Sequence, residues 1–276
     1  AIGEGAGLLD DGTANENTFI GVEAGLMNTT GATNVFIGAD AGRANTTANH
    51  NTFVGTAAGA ATATAGQNTF VGYHAGLQNT SIQNTFMGFN AGQANTGGAF
   101  NTFIGNLSGV SNNIGNQNTF IGDSSGMANT NGDANVFIGQ GSGDANQSGN
   151  ENVFIGTDAG GANTGGDRNV IIGANAGLLS LASDNIFIGH NAGKTNSIAN
   201  DNIFIGSGTG LNNDFGQFNV FMGSDAGAAN VSGINNVYIG FMSGNTSTGN
   251  NNTYLGKSTG QVNTTGDQNT FSGRTE

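Results

Sequence analysis

The chain has 276 residues and carries only five Lys and Arg against 18 Asp and Glu, so its formal net charge is −13. A chain this poor in clustered cations is a poor candidate for nucleic-acid binding, and the lack of Cys excludes disulfides and thiol chemistry. No apolar run approaches the ~18 residues of a membrane-spanning helix, so we predict no membrane insertion by this segment.

A five-residue phrase recurs from one end of the chain to the other. It reads Asn, a β-branched residue, an aromatic residue, an aliphatic residue and Gly, with few exceptions. We call its Asn the anchor and number the repeat from it as position 1. After a partial first repeat at residues 1–16, 16 anchors run from Asn17 to Asn269, spaced 17 residues apart except for three steps of 16. Such a period is typical of repeat architectures, and we predict a single β-solenoid repeat domain over residues 1–276.

The phrase has the composition of a strand that ends in a turn. Position 2 is Thr, Val or Ile in all 16 copies, and position 3 is Phe in 13 of them. These residue types are enriched in strands. Gly follows at positions 5 and 9, as Gly21 and Gly25 in the first copy and Gly38 and Gly42 in the second. We predict that these glycines form turns, because Gly adopts positive φ without steric cost.

The unit is too short for a strand–helix–strand crossover, which needs a dozen or more connecting residues. It suits one coil of a parallel β-solenoid, so we predict an all-β β-roll of about sixteen 17-residue coils stacked ~4.8 Å apart. Stacking in register would align the anchors into a ladder of hydrogen-bonded Asn amides. The first eight members of this predicted ladder are Asn17, Asn34, Asn51, Asn68, Asn84, Asn101, Asn118 and Asn135.

Both faces of the predicted strand are apolar, since positions 2 and 4 point to one side and position 3 to the other. The sequence does not settle which face is inside. An outward Phe stripe would exceed the apolar patches of soluble monomers, so we favour cover by partner chains in a parallel homotrimer. The alternative is a flattened coil that holds Phe inside. The Phe residues assigned to the core or an interface are Phe19, Phe36, Phe53, Phe70, Phe86, Phe103, Phe120, Phe137, Phe154, Phe187, Phe204 and Phe221.

The pattern Asn-Thr-Phe-Ile-Gly-x-x-Ala-Gly resembles the head repeats of YadA-like trimeric autotransporter adhesins, and also the β-solenoid repeats of phage tail-fibre-like proteins. The match lies in the β-branched, aliphatic and Gly positions, such as Val35, Ile37 and Gly38, and it recurs along the whole chain. The adhesin family has Ala where this chain has Phe36. The resemblance implies a left-handed parallel β-roll, a homotrimer and binding to host surfaces or matrix.

No constellation of residues indicates catalysis. His50, His74 and His190 share no repeat position, so they predict no zinc site. The segments 10–13 and 131–133 could hold a calcium ion in a loop, although no EF-hand pattern follows either of them. An enzyme normally interrupts its scaffold at the active site, and this repeat is hardly interrupted. We predict that the chain is not an enzyme and needs no cofactor, with a loop calcium ion as the one option.

These features together favour an extracellular fibre segment, on a cell surface or a virion-like fibre, that mediates surface attachment or spaces a binding tip. Its expected partners are copies of itself, with a host or prey surface receptor or glycan as a further partner. A filament subunit that stacks end to end is the alternative. An ice-binding solenoid is a third, less favoured hypothesis. Val or Ile replaces Thr at position 2 in half of the copies, and we expect that column to face inward.

Overall fold

Sixteen three-residue strands, one at each anchor, build an all-β parallel β-solenoid in a computed structural model of the chain. The structure describes residues 1–12 and 15–273. Within these ranges no residue is helical, and so no helix is long and apolar enough to cross a membrane. The predicted solenoid of coils of roughly 17 residues is confirmed.

The strands are β1 Thr18–Ile20, β2 Val35–Ile37, β3 Thr52–Val54, β4 Thr69–Val71, β5 Thr85–Met87, β6 Thr102–Ile104, β7 Thr119–Ile121, β8 Val136–Ile138, β9 Val153–Ile155, β10 Val170–Ile172, β11 Ile186–Ile188, β12 Ile203–Ile205, β13 Val220–Met222, β14 Val237–Ile239, β15 Thr253–Leu255 and β16 Thr270–Ser272.

The chain divides into two compact units, Ala1–Asn135 with β1–β7 and Val136–Glu276 with β8–β16. Within each unit, consecutive strands pair in parallel and in register. Phe36 lies opposite Phe53 in the first unit, and Phe204 lies opposite Phe221 in the second. One repeat in the sequence therefore corresponds to one step of the stack, and residues at equal repeat positions form columns.

The aromatic column at position 3 forms the core of each unit. The ring centroids of Phe53, Phe70 and Phe86 are 4.8 Å apart in succession, and the rings are nearly parallel. Every position-3 side chain from Phe36 to Tyr254 is fully buried. The expectation that partner chains cover an outward Phe stripe is therefore wrong. A ring buries more apolar area than its neighbours at positions 2 and 4, which favours placing it inside.

Positions 2 and 4 point outward, toward solvent. In β5, Thr85 is half-buried and Met87 is exposed, while in β6 both Thr102 and Ile104 are half-buried. The inward direction expected for the Thr column is wrong. Because side chains alternate along a strand, both neighbours of an inward Phe must face the other side.

The turns after the strands use residues other than Gly in the left-handed region. Gly42 at position 9 has φ 58°, as expected for a turn glycine. Asp40 at position 7 has the same φ of 58°, and Thr33 at position 17 has φ 56°. Non-Gly residues in this conformation lose roughly 1–2 kcal/mol each. Positions 7 and 17 hold many residue types, so the sequence analysis did not identify them as left-handed.

The stack continues through the three coils that have 16 residues. Asn68 begins one of them, and the ring of Phe86 in the next coil still stacks 4.8 Å from that of Phe70. The backbone N–H of Asn84 also donates to Oδ1 of Asn68 at 2.9 Å. The residue that is missing comes from the segment between position 12 and the next anchor. This segment therefore varies in length without disturbing either column.

We expect Phe86→Ala to lower the free energy of unfolding by about 3–5 kcal/mol, because it leaves a cavity between two stacked rings. Chemical denaturation would measure the loss. Phe215→Ala is the matched control, since its ring is 51% exposed, and we expect a change within about 0.5 kcal/mol. Equal losses in the two variants would contradict the buried aromatic column.

Candidate functional site

The anchor Asn residues form a hydrogen-bonded column inside each unit. The anchors from Asn34 to Asn252 are buried. Oδ1 of Asn34 accepts from the backbone N–H of Asn51 at 3.0 Å, and Oδ1 of Asn51 accepts from that of Asn68 at 2.9 Å. This bond links all the anchors from Asn17 to Asn135. The regular donor is thus a main-chain N–H, and the predicted bond between side-chain amides accompanies it at some steps, as from Nδ2 of Asn135 to Oδ1 of Asn118 at 3.1 Å.

The anchor side chain also closes its own coil. Nδ2 of Asn101 donates to the carbonyl of Gly115, at position 15, over 2.8 Å. Nδ2 of Asn112, at position 12, donates to the same carbonyl over 3.0 Å. The pair of bonds recurs at Gly98 and Gly216. One buried carbonyl therefore ties the beginning of a coil to its last quarter, and the amides that meet there have partners, as buried polar groups require.

Position 12 carries a second Asn column, which the sequence analysis did not identify. Nδ2 of Asn112 donates to Oδ1 of Asn95 at 2.7 Å, and Nδ2 of Asn129 donates to Oδ1 of Asn112 at 2.7 Å. The signal was available, because Asn recurs at this position in 12 of 15 complete copies. Where Thr62 takes the position, its hydroxyl donates to the carbonyl of Asn79 at 2.9 Å, and the chain of amides is interrupted.

The two glycines of each repeat are needed for different contacts. A Cβ on Gly38, at position 5, would lie 2.5 Å from the carbonyl oxygen of the next position-5 glycine. A Cβ on Gly42, at position 9, would lie 2.6 Å from the aromatic ring of its own coil. The same clashes would occur at Gly21 and Gly25. The first glycine therefore permits close stacking of coils, and the second lets the turn lie on the ring.

In the two coils with Tyr at position 3, the phenol reaches the side chain at position 12. The hydroxyl of the buried Tyr238 donates to Oγ of Ser247 at 3.0 Å, in a coil where Ser replaces Asn. Burial raises the pKa of Tyr238 to about 12, because the phenolate would lose its hydration. The hydroxyl of Tyr254 likewise accepts from Nδ2 of Asn263. The tip of position 3 and the side chain of position 12 therefore share one buried space.

The outward columns at positions 2 and 4 form a surface that we call the sheet face of each unit. None of the 18 acidic and five basic residues occupies either position. Ile20, Met87 and Ile239 are among its exposed members. Contiguous apolar surface that is exposed on a soluble protein often marks a site of interaction. The sheet face is therefore the candidate functional surface of this otherwise acidic chain.

Residues 44–122, in the first unit, contain no Asp, Glu, Lys or Arg. Large apolar side chains are exposed within this stretch, among them Tyr73, Phe89 and Phe100. The net charge of the whole chain conceals this uncharged stretch. Since net charge drives copies of a protein apart, repulsion between two copies is weakest along residues 44–122.

The described residues contain no group of three or more His, Cys, Asp and Glu side chains that could hold a metal ion. In the segment 131–133, the carboxylate of Asp133 accepts from the backbone N–H of Asn116 at 2.6 Å. In the segment 10–13, Thr13 lies outside the described residues. The geometry therefore provides no argument for the loop calcium ion that the sequence suggested.

Comparison of the chain with protein-family models, with curated proteins and with solved structures finds no match. Any function must therefore be argued from the columns and surfaces of this chain. Of these, the Asn and Phe columns are interior and explain the fold, whereas the sheet face is open to solvent.

We expect Asn112→Ala to lower the free energy of unfolding by about 2–3 kcal/mol, because Oδ1 of Asn95 loses its buried donor. Asn112→Thr is the matched variant, since the fold already accepts Thr62 in this column, and we expect a smaller loss. Chemical denaturation of the three proteins would measure the difference. A Thr variant as unstable as the Ala variant would count against the role assigned to this column.

Proposed function

We propose that this chain is a structural segment of an extracellular fibre, a shaft or head that mediates surface attachment or spaces a binding tip. Three copies associate in parallel through their sheet faces. The attachment partner is a receptor or glycan on a host or prey surface. The single observation that carries the proposal is the sheet face itself, which is regular, partly apolar and free of charge in an acidic chain.

The sheet face is suited to a long contact between copies. Each strand presents a β-branched residue and an aliphatic residue, as Thr102 and Ile104 do in β6, and pairing in register aligns them into stripes. Burial of apolar area contributes about 25 cal/mol per Å². The free energy of association therefore adds up when a small apolar contact is repeated in every coil. The strand backbones already bond to their neighbours, and association would leave few polar groups without partners.

Two further features support a trimeric fibre. Closed cyclic symmetry is the usual way in which identical chains associate, and the repeat resembles those of YadA-like trimeric adhesin heads and phage tail-fibre-like proteins. The repeat is also uniform in all 16 copies, with no coil enlarged to form a pocket. Uniformity of this kind suits display and spacing more than catalysis.

The proposal predicts an assembly with three times the chain mass of 27.4 kDa, measured by light scattering after size-exclusion chromatography. Ile104→Lys should shift the protein to the monomer mass, because a charge would be buried without a partner in the contact. Val110→Lys, at position 10 of the same coil, is the matched control and should keep the assembly. Lys194 occupies position 10 in another coil, so the fold accepts Lys there.

Other results for the mass of the assembly would contradict the trimer or its interface. A monomeric wild-type chain would contradict the trimeric fibre. An assembly that Ile104→Lys leaves intact would remove the sheet face as its interface. Particles that lengthen with concentration, seen by electron microscopy, would favour the filament that stacks end to end.

A second candidate function is ice binding, which is favoured by the outward direction of the Thr column. In the first unit the position-2 residues Thr52, Thr69, Thr85, Thr102 and Thr119 follow one another without interruption, and all are half-buried. The rings beneath them are spaced 4.8 Å apart, so the hydroxyl groups form an even rank. Regular ranks of hydroxyl and methyl groups on a flat solenoid face can order water.

Ice binding predicts a monomeric chain that lowers the freezing point of a solution below its melting point. Thr85→Lys should reduce this thermal hysteresis, because it breaks the rank at its centre, and Val110→Lys should not. Nanolitre osmometry would measure both variants. Equal freezing and melting points for the wild-type chain would contradict this second candidate.

A further inference from the structure

The sheet face of the first unit has two edges, and both carry large exposed side chains. Position 6 lies at the edge where the strands end, and position 17 lies at the edge where they begin. Tyr73 and Phe89, at position 6 of adjacent coils, stack with their ring centroids 5.4 Å apart and are 46% and 51% exposed. Phe100 at position 17 is 53% exposed, and Ile82 beside the same edge is 42% exposed. The two edges thus present apolar groups in the same part of the stack.

Phe100 occupies an unfavourable place for an aromatic residue. Its φ is 61°, a conformation that bulky residues rarely adopt. Apart from Phe218 and Ala134, every other described residue at position 17 is polar or charged. Every described residue directly before an anchor shares this conformation, so what distinguishes Phe100 is an exposed aromatic ring where most coils carry a polar side chain. Exposed apolar groups of this size often mark a site of interaction.

The residues above and below this region are polar at both edges. Thr56 precedes Tyr73 at position 6 and Asn106 follows Phe89. Directly before the anchors, Gln83 precedes Phe100 and Gln117 follows it. At these edges of the first unit, Phe and Tyr are therefore confined to two adjacent coils at position 6 and one place at position 17, all within the uncharged residues 44–122.

A cyclic assembly brings these two edges together. In such an assembly one edge of each subunit meets the other edge of its neighbour at the same height. Phe89 follows β5 and Phe100 precedes β6, and these strands are adjacent in the stack. We propose that Tyr73 and Phe89 of one copy pack against Phe100 and Ile82 of the next copy. This inference rests on the parallel homotrimer proposed above.

The contact would set the axial register of the subunits. A slip by two coils would place Phe100 against Thr56 or Asp123 of the neighbour, so the contact between rings would be lost. In the second unit the exposed Phe241 at position 6 and Ile234 beside the other edge repeat part of this pattern, but no aromatic residue lies at position 17 of that level. The pairing of aromatic residues between copies therefore belongs to the first unit.

A double-mutant cycle tests the contact with residue types that the fold already accepts at these positions. Lys257 occupies position 6 in one coil, and Glu151 occupies position 17 in another with φ 57°. Phe89→Lys and Phe100→Glu should each raise the dissociation constant of the trimer about tenfold or more, since each buries a lone charge. The dissociation constant of the double variant should return to within about threefold of the wild type, because Lys of one copy would pair with Glu of the next.

Sedimentation equilibrium of the full chain would measure these constants, and circular dichroism melts would confirm that each variant is folded. Gln140→Lys, at position 6 of the second unit, is the matched control and should change the constant less than about threefold. If a charged variant fails to fold, Phe89→Ala and Phe100→Ala replace the single variants and should each still weaken the trimer.

The outcomes separate this inference from the function on which it rests. A trimer that Ile104→Lys dissociates but that neither edge variant weakens would overturn the register contact and leave the fibre proposal standing. A double variant as weak as the two single variants combined would also overturn the contact. A monomeric wild-type chain would overturn both proposals together.

Discussion

Each coil is held to the next by the buried amide of its anchor Asn, and the rest of the structure depends on this bond. The oxygen of Asn101 accepts from the main chain of the following anchor, while its nitrogen donates to a carbonyl near the end of its own coil. One side chain therefore closes its own coil and also fixes the position of the next coil along the stack. A buried amide without partners costs about 1–3 kcal/mol, so coils that are out of register are disfavoured at every step.

This division of roles explains why the exterior can serve another purpose. The Asn and Phe columns and the two glycines satisfy the packing and hydrogen bonding of the interior, which leaves positions 2 and 4 constrained mainly by strand propensity. That propensity favours β-branched residues over Asp, Glu and Lys, and the outer columns hold Thr and aliphatic residues without a single formal charge. A partly apolar surface that stays exposed after the coils have stacked is where a function is best sought.

Strand, turn and anchor positions could be read from the sequence because each recurs at a fixed spacing with one dominant residue type, as Gly38 and Gly42 do. The direction of Phe36 could not, because both faces of the strand are apolar and no polar alternation separates inside from outside. The left-handed conformation of Thr33 carries no signal in its residue type. The second amide column through Asn112 shows in the sequence only as a recurring Asn, a residue type that is equally typical of a solvated turn.

The coils of 16 residues show where this architecture tolerates change. The segment between position 12 and the next anchor loses a residue after Asn79, and the aromatic and anchor columns pass the site unaltered. Neither column runs through that segment, so its length is decoupled from the stack. Such a scaffold could diversify by changing the length of this one loop in each coil while the stacked columns stay the same. Foreign peptides grafted there would be presented as an evenly spaced array, about 4.8 Å per coil.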